Sequence, residues 1–265
     1  MFRVSRALAV ACTATSLGAQ APAIPHDLVA ARVTTAPVID GRLGDPAWQQ
    51  ARWSEPFVDI EGPRRPDPPV ETRVAIAWDD EALYLAASLE EPDLWGTLTS
   101  RDAVIYHDND FEWFIDPDGD AARYFELEIN ALGTVWDLFL DRPYRAGGRA
   151  DNGWDIAGLR SAVHLEGTLN DPRDRDRGWF VEMAIPWAAF ADGGRTVIPP
   201  RAGDTWRINF SRVQWELDVI EGRYRKRRAA SGKPLPEHNW VWSPQGEINM
   251  HVPERWGTVV FAAAP

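Results

Sequence analysis

Cysteine is the scarcest residue in this chain, a single one, Cys12, among 265 residues. It falls in a leader-like N-terminus, so the rest of the chain can form no disulfide and do no thiolate chemistry. Basic charge is short as well, with 28 Lys plus Arg against 40 Asp plus Glu and a net charge of −12. That deficit argues against nucleic acid as a partner, because phosphate binding needs Lys and Arg gathered on one face. No stretch holds about eighteen consecutive apolar residues, so no helix is long and apolar enough to span a bilayer. Sustained helical heptads are missing too, and the 20 Gly and 21 Pro break up any candidate, which excludes a helical bundle or coiled coil. There is no Gly-x-Ser-x-Gly, no P-loop and no His-Glu-x-x-His. The 5 histidines show no close pairing, which speaks against zinc.

What the chain does have is tryptophan, 14 residues against 5 tyrosines. So many large flat rings must fill a thick core or lie on a surface that stacks against something. The N-terminus carries Arg3 and Arg6, a short apolar stretch over residues 7–17, and the small residues Gly18-Ala-Gln-Ala21. This reads as a secretory signal over residues 1–21, followed by one domain over residues 22–265 that is periplasmic or secreted. The residues before Cys12 loosely resemble a lipoprotein box, but the apolar run ahead of it is too short for a usual signal.

After an Ala- and Pro-rich lead, Asp45 and Pro46 mark the start of one short helix. Residues 61–70 hold four prolines and form an exposed loop. Strands follow. Residues 72–78 and 83–89 alternate around a turn at Asp79-Asp-Glu81, and residues 111–116 and 124–130 alternate around Pro117-Asp-Gly-Asp120. Further strands are expected at 134–140, 156–165, 178–185, 205–215 and 257–262, with one helical turn at 186–190. The basic run Arg223-Tyr-Arg-Lys-Arg-Arg228 is expected to be a solvated loop. Turn signals about every ten residues predict an all-β, immunoglobulin-like antiparallel sandwich with short helical turns.

Five segments taken in order resemble the family 9 carbohydrate-binding modules. They are Ile39-Asp-Gly-Arg-Leu-Gly-Asp-Pro-Ala-Trp48, Val74-Ala-Ile-Ala-Trp-Asp-Asp-Glu-Ala-Leu-Tyr-Leu85, Asp110-Phe-Glu-Trp-Phe-Ile-Asp116, Gly178-Trp-Phe-Val-Glu-Met-Ala-Ile-Pro-Trp187 and Pro253-Glu-Arg-Trp-Gly257. The run Asn130-Ala-Leu-Gly-Thr-Val-Trp-Asp137 resembles the free-standing exported branch of that family. The resemblance implies a sandwich that holds a mono- or oligosaccharide at a surface cleft, acts beside polysaccharide-degrading enzymes and often binds calcium. A monomer is expected.

Candidate site residues come from strand parity and from that resemblance. Glu126, Glu128 and Asn130 alternate with apolar Phe125, Leu127 and Ile129, so the polar three share one sheet face, and Glu112 on the preceding strand can join them. The resemblance makes Glu112 a sugar-hydroxyl acceptor, Asn130 a polar group of the binding face, and Glu128 the occupant of a position where the modules tend to carry Arg. It places one half of an aromatic clamp at Tyr106 and the other at Met250, which is not aromatic, and Trp215, Trp240 and Trp242 lie near enough in sequence to substitute. Arg212 and the loop Asn249-Met-His251 complete the expected pocket. Trp48, Trp78, Trp179 and Trp256 are expected to fill the core. Calcium is expected at Asp116, Asp118 and Asp120, whose oxygens recur at alternate positions, and at the acidic loop of Asp108 and Asp110. Two other readings stay open: a glycoside hydrolase using Glu112, Glu126 or Glu128, and a haem b-binding redox domain of the related superfamily using Met250-His251.

Overall fold

The computed structural model describes residues 26–264; the expected signal segment and Cys12 lie outside the described residues. In chain order the strands are β1 Asp27–Arg32, β2 Val58–Asp59, β3 Thr72–Trp78, β4 Ala82–Glu90 and β5 Asp110–Asp116. They continue as β6 Tyr124–Asn130, β7 Val135–Leu140, β8 Ala150–Asp151, β9 Arg160–Glu166 and β10 Gly178–Pro186. The last five are β11 Thr205–Gln214, β12 Leu217–Ile220, β13 Arg223–Lys226, β14 His238–Val241 and β15 Gly257–Phe261. Among the described residues the one α-helix, α1, is Pro46–Gln50 with Pro46 at its first turn.

Two sheets result. The first runs β8-β7-β6-β5-β11-β15, with β14 and β2 continuing along the second half of β11. The second runs β3-β4-β10-β9. Strand β1 belongs to both: Asp27 to Ala30 pair with β15, and Ala31 and Arg32 pair with β3. The sandwich is therefore as expected, but it is not wholly antiparallel, because β1 lies parallel to both partners.

The reason for the two layers is period-two alternation. Phe111, Trp113 and Ile115 on β5 and Phe125, Leu127 and Ile129 on β6 point inward. They meet Val74, Ile76 and Trp78 on β3 and Trp179, Val181, Met183 and Ile185 on β10. Trp48, Trp78, Trp179 and Trp256 are buried, as expected of core fillers.

The outer face of the second sheet is also closed. It presents small side chains, Ala75, Ala77, Ala86 and Ala184, against which α1 lays Ala47 and Trp48. Glu182 on that face is fully buried and accepts hydrogen bonds from Asp40 N at 3.0 Å, Gly41 N at 2.7 Å and Trp48 Nε1 at 2.6 Å. Gly41 adopts φ +81°, and a Cβ there would fall 2.6 Å from His164 N, so glycine is required for this approach.

Four expectations need correction. Asp27–Arg32 form a strand where a lead segment was expected, because Leu28 and Ala30 reach the core. The basic run is not a loop: Arg223–Lys226 is β13 of a hairpin, and Arg227 just beyond it pairs with Glu216 at 2.6 Å and Asp218 at 2.8 Å. The strand expected from residue 156 begins at Arg160. Asp45 does not cap α1 with its side chain, which instead accepts from Val38 N at 3.2 Å.

Candidate functional site

The outer face of the first sheet is not closed in the same way. Its polar positions are set by register: Glu112 on β5 lies opposite Glu128 on β6 and Ser211 on β11, and Asp110 lies opposite Asn130. A pocket of about 410 Å³ opens on this face. Tyr106, Glu112, Glu128, Asn249, Met250 and His251 line it, so six of the ten expected ligand residues come together. Tyr106 sits on the 3₁₀ turn Ile105–His107 and remains 38% exposed. Its N–H donates to Glu128 Oε2 at 2.9 Å, and its carbonyl accepts from Trp215 Nε1 at 2.9 Å, which fixes the turn over the pocket.

The far rim is aromatic, though not through Met250. That side chain packs with Phe114, Leu138 and Trp256 in an apolar cluster on the same face. The ring is supplied by its neighbour His251, which lies edge-on to Tyr144 with centroids 4.5 Å apart. His251 Nδ1 is hydrogen-bonded to the Tyr124 hydroxyl at 2.8 Å. Burial lowers the His251 pKa to about 4, so the imidazole is neutral at pH 7.

The carboxylates are the unusual part. Glu112, Glu126 and Glu128 line the pocket, and Asp110 lies behind them with its oxygen within 4.8 Å of those of Glu112 and Glu128. All four are almost completely buried. Burial pushes Glu112 up to about 7, and it raises Asp110, Glu126 and Glu128 well above the ordinary carboxylate range, with repulsion from their neighbours adding to it. Among the described residues, Asp110 Oδ2, Glu112 Oε2 and Ser211 Oγ are buried without a hydrogen-bond partner.

Four expected residues lie elsewhere. Arg212 is buried on the opposite face of β11, in step with core-facing Ile208 and Phe210, and donates to Glu91 Oε2 at 3.0 Å, Thr72 Oγ1 at 3.0 Å and Gln214 Oε1 at 2.9 Å. Asn130 is fully buried and builds the turn after β6: its Oδ1 accepts from Leu132 N and Thr134 N, and its Nδ2 donates to Leu98 O and Asp108 Oδ2. Trp215 and Trp240 line a second pocket of about 680 Å³, walled on one side by the Pro-rich loop. Lys226 Nζ lies 3.3 Å over the Trp215 ring, and His238 stacks on Trp240 at 5.8 Å. The two pockets share Ile60, Glu237, Asn239 and Ile248, and so adjoin. Trp242, the further substitute, is buried in the core.

The aspartates expected to bind calcium divide into three groups. Asp108 is saturated by Thr97 N, Thr97 Oγ1, Leu98 N and Asn130 Nδ2. Asp110 belongs to the carboxylate cluster. Asp116, Asp118 and Asp120 do converge within 4.8 Å, but every oxygen already accepts a donor of the turn or its surroundings. Each of those oxygens holds that donor on one lone pair and keeps a second.

Sequence reasoning did not assign Trp136, Phe114, Tyr144 and Glu237 to this site, yet all four line it. Trp136 was within reach, since it stands opposite Glu128 in the β6–β7 register and shares its face. Tyr144 was not, because its place depends on how the segment after β7 folds back.

A profile of the carbohydrate family 9 binding domain-like family matches residues 39–206. The chain belongs to that family. Similar solved structures support the same fold. One is a proposed carbohydrate-binding protein from Bacteroides uniformis ATCC 8492, with a TM-score of 0.62 at 19% identity, covering 89% of this chain and 99% of that one. Another is a family 9 module from Caldicellulosiruptor kristjanssonii in complex with cellotriose, with a TM-score of 0.55 at 18% identity, covering 90% and 95%. The glucose complex of a family 9 module from that organism gives a TM-score of 0.55 at 17% identity, covering 90% and 97%. No curated protein matches the sequence.

Proposed function

We propose that this protein binds a mono- or oligosaccharide without cleaving it, in the pocket between Tyr106 and His251. The observation that carries the reading is the union of family and geometry: a family 9 domain with a 410 Å³ concavity that has aromatic rims and buried oxygens still free to accept. A sugar ring packs its C–H face on an aromatic and gives its hydroxyls to such acceptors. Structural neighbours in complex with cellotriose and glucose support the same ligand class. The further elements of the reading are export by the N-terminal segment to the periplasm or medium, a monomeric state, and a role beside polysaccharide breakdown.

The non-catalytic part rests on the carboxylates. A glycosidase keeps one carboxyl protonated and the other ionised by giving them different environments. Here burial moves Glu112, Glu126 and Glu128 in the same direction, and no Lys or Arg lines the pocket to hold one of them ionised. Calcium stays in this reading only at the Asp116–Asp120 turn, and equal melting temperatures in calcium and in chelator would remove it. The main test is calorimetric titration with glucose and cello-oligosaccharides, together with a reducing-sugar assay on the same mixtures. Binding without new reducing ends is expected, whereas Glu112-dependent release of sugar would make the protein a hydrolase. A colourless purified protein with no Soret band disposes of the haem reading.

A further inference from the structure

The pocket is lined by acids without a basic partner. Glu112, Glu126, Glu128 and Glu237 line it, and among its described lining residues there is no Lys and no Arg. The nearby cations are committed elsewhere: Arg212 points to the other face of its strand and pairs with Glu91, and Lys226 caps the Trp215 ring. His251 offers no compensation, since burial keeps it neutral. The chain supplies few donors. Tyr106 N–H serves Glu128 and Val213 N–H serves Asp110 Oδ1, while Asp110 Oδ2 and Glu112 Oε2 are left without partners. The buried Ser211 hydroxyl, opposite Glu112 in the β5–β11 register, is the one side-chain donor turned toward that carboxyl. Buried carboxylates in such a state are costly unless something arriving from outside neutralises and hydrogen-bonds them.

The same face also carries rings, with Phe114 opposite Glu126 in the β5–β6 register and Trp136 opposite Glu128 in the β6–β7 register, so acids and rings alternate across the pocket. Tyr106, Phe114, Trp136 and Tyr144 bring rings to it, and the Tyr106 and Trp136 rings lie 6.4 Å apart and tilted by 34°. An occupant that uses both needs a flat apolar face for the rings and a positively charged donor for the acids. A calcium ion uses only the acids, and it asks for six to eight oxygens where three carboxylates converge. A protonated amine has three N–H donors, is drawn to both carboxylates and aromatic faces, and rides on a ring that can stack.

We infer that this pocket selects an amino sugar of the hexosamine class, with a free ammonium group, over its neutral and N-acylated counterparts. The inference rests on the carbohydrate reading of the same pocket and goes one step further, to the charge of the ligand. It also implies proton release. The groups facing the ammonium are Glu112 from β5, Glu126 and Glu128 from β6, and Glu237 from the segment before β14, with Asp110 behind Glu112 and Glu128. Tyr106, Tyr124, Tyr144 and His251 surround them. Burial holds protons on the acids in the empty pocket, and an incoming cation displaces them. Affinity therefore rises with pH until the amine itself loses its proton.

The test is titration calorimetry at pH 7 in the presence of chelator, with glucose, glucosamine, N-acetylglucosamine and the β-1,4 dimer of each. Glucosamine and its dimer are expected to bind at least about tenfold more tightly than the other two, a difference of about 1.4 kcal/mol. The heat should change between buffers of different ionisation enthalpy, as proton release requires. Glu128→Gln and Glu112→Gln, checked for cooperative melting, should bring the preference close to parity. Equal affinity for glucose and glucosamine, or tighter binding of the N-acetylated sugar, overturns the charge selection and leaves the carbohydrate reading standing. Failure of every sugar to bind overturns both. Calcium binding that is lost in Glu112→Gln and Glu128→Gln, with no sugar preference, assigns the cluster to a metal and also overturns the inference.

Discussion

The two outer faces of this sandwich each bury carboxylate, and they treat it differently. On the second sheet, the single acid Glu182 receives three donors, from Asp40, Gly41 and Trp48, and α1 covers the rest with small apolar contacts. On the first sheet, four acids crowd together, few donors reach them, and a pocket is left open above. A buried charge met from within the chain is a fastening; buried charge left unmet beside a cavity is a request for a ligand. Both faces look alike to a hydropathy count. They separate once every buried oxygen is asked for its donor.

The largest effect that would break this contrast is on the closed face. Glu182→Ala strands two backbone N–H groups and an indole N–H in a dry site, and should cost about 3–5 kcal/mol of unfolding free energy in denaturant titration. Glu182→Gln keeps one acceptor and should cost less. A loss below about 1 kcal/mol for the alanine variant would mean that this face is not fastened by its acid. On the open face, Tyr106→Ala should cost about 1–3 kcal/mol of sugar affinity through lost ring contact and leave the melting temperature nearly unchanged, because the ring is partly exposed. A fold that collapses with this change would make Tyr106 structural.

Stability against pH sharpens the contrast further. Glu112 ionises near pH 4.5 when unfolded and near 7 when folded, so the folded state holds its proton more tightly. Its contribution is fully present below about pH 4.5 and is lost as pH rises to about 7. His251 works in the opposite sense, losing stability as pH falls from about 6.5 to about 4, since it resists charging when folded. Four acids outweigh one imidazole, so the ligand-free protein should melt a few degrees higher at pH 5.5 than at pH 8. Glu112→Gln should flatten that slope, and an unchanged slope would remove Glu112 as its source. The smallest effect is expected from calcium. A shift of a degree or two between calcium and chelator, abolished by Asp118→Asn, is what a weak site at the Asp116–Asp120 turn would give.

The sandwich was legible because strands announce their faces every second residue. Glu126 and Glu128 against Phe125, Leu127 and Ile129 is such an announcement, and the structure repeats it. Arg212 was misplaced by ignoring the same rule: Ile208 and Phe210 face the core, so Arg212 does too, while Asn209 and Ser211 turn outward. Trp215 and Trp240 were close in sequence to the expected pocket, but Trp240 pairs with Arg212 in the β11–β14 register, Trp215 lies just past the end of β11, and both line the adjoining pocket. Asn130 sits on the correct strand yet is consumed by its own turn, an accounting that needs the partners of each amide. Tyr144 carries no local signal, because a loop places it. Parity is written in the sequence; which loop closes over which face is settled only by the assembled chain.

Strand β1 carries a consequence for how the molecule is made. Asp27 pairs with Thr258 and Ala30 with Phe261, so this half of β1 meets its partner only once β15, far downstream, has been made, whereas Ala31 and Arg32 can pair with β3 earlier. Until then the first half of β1 lacks its neighbour, and the bridge that joins the layers is only half made. Contacts so distant along the chain close slowly, because the intervening loop must first be ordered. A nascent chain built this way can make the β3 side of the bridge early, and it closes the β15 side in a later step. The time for which it remains open is set by the position of β15 rather than by the strength of any single contact.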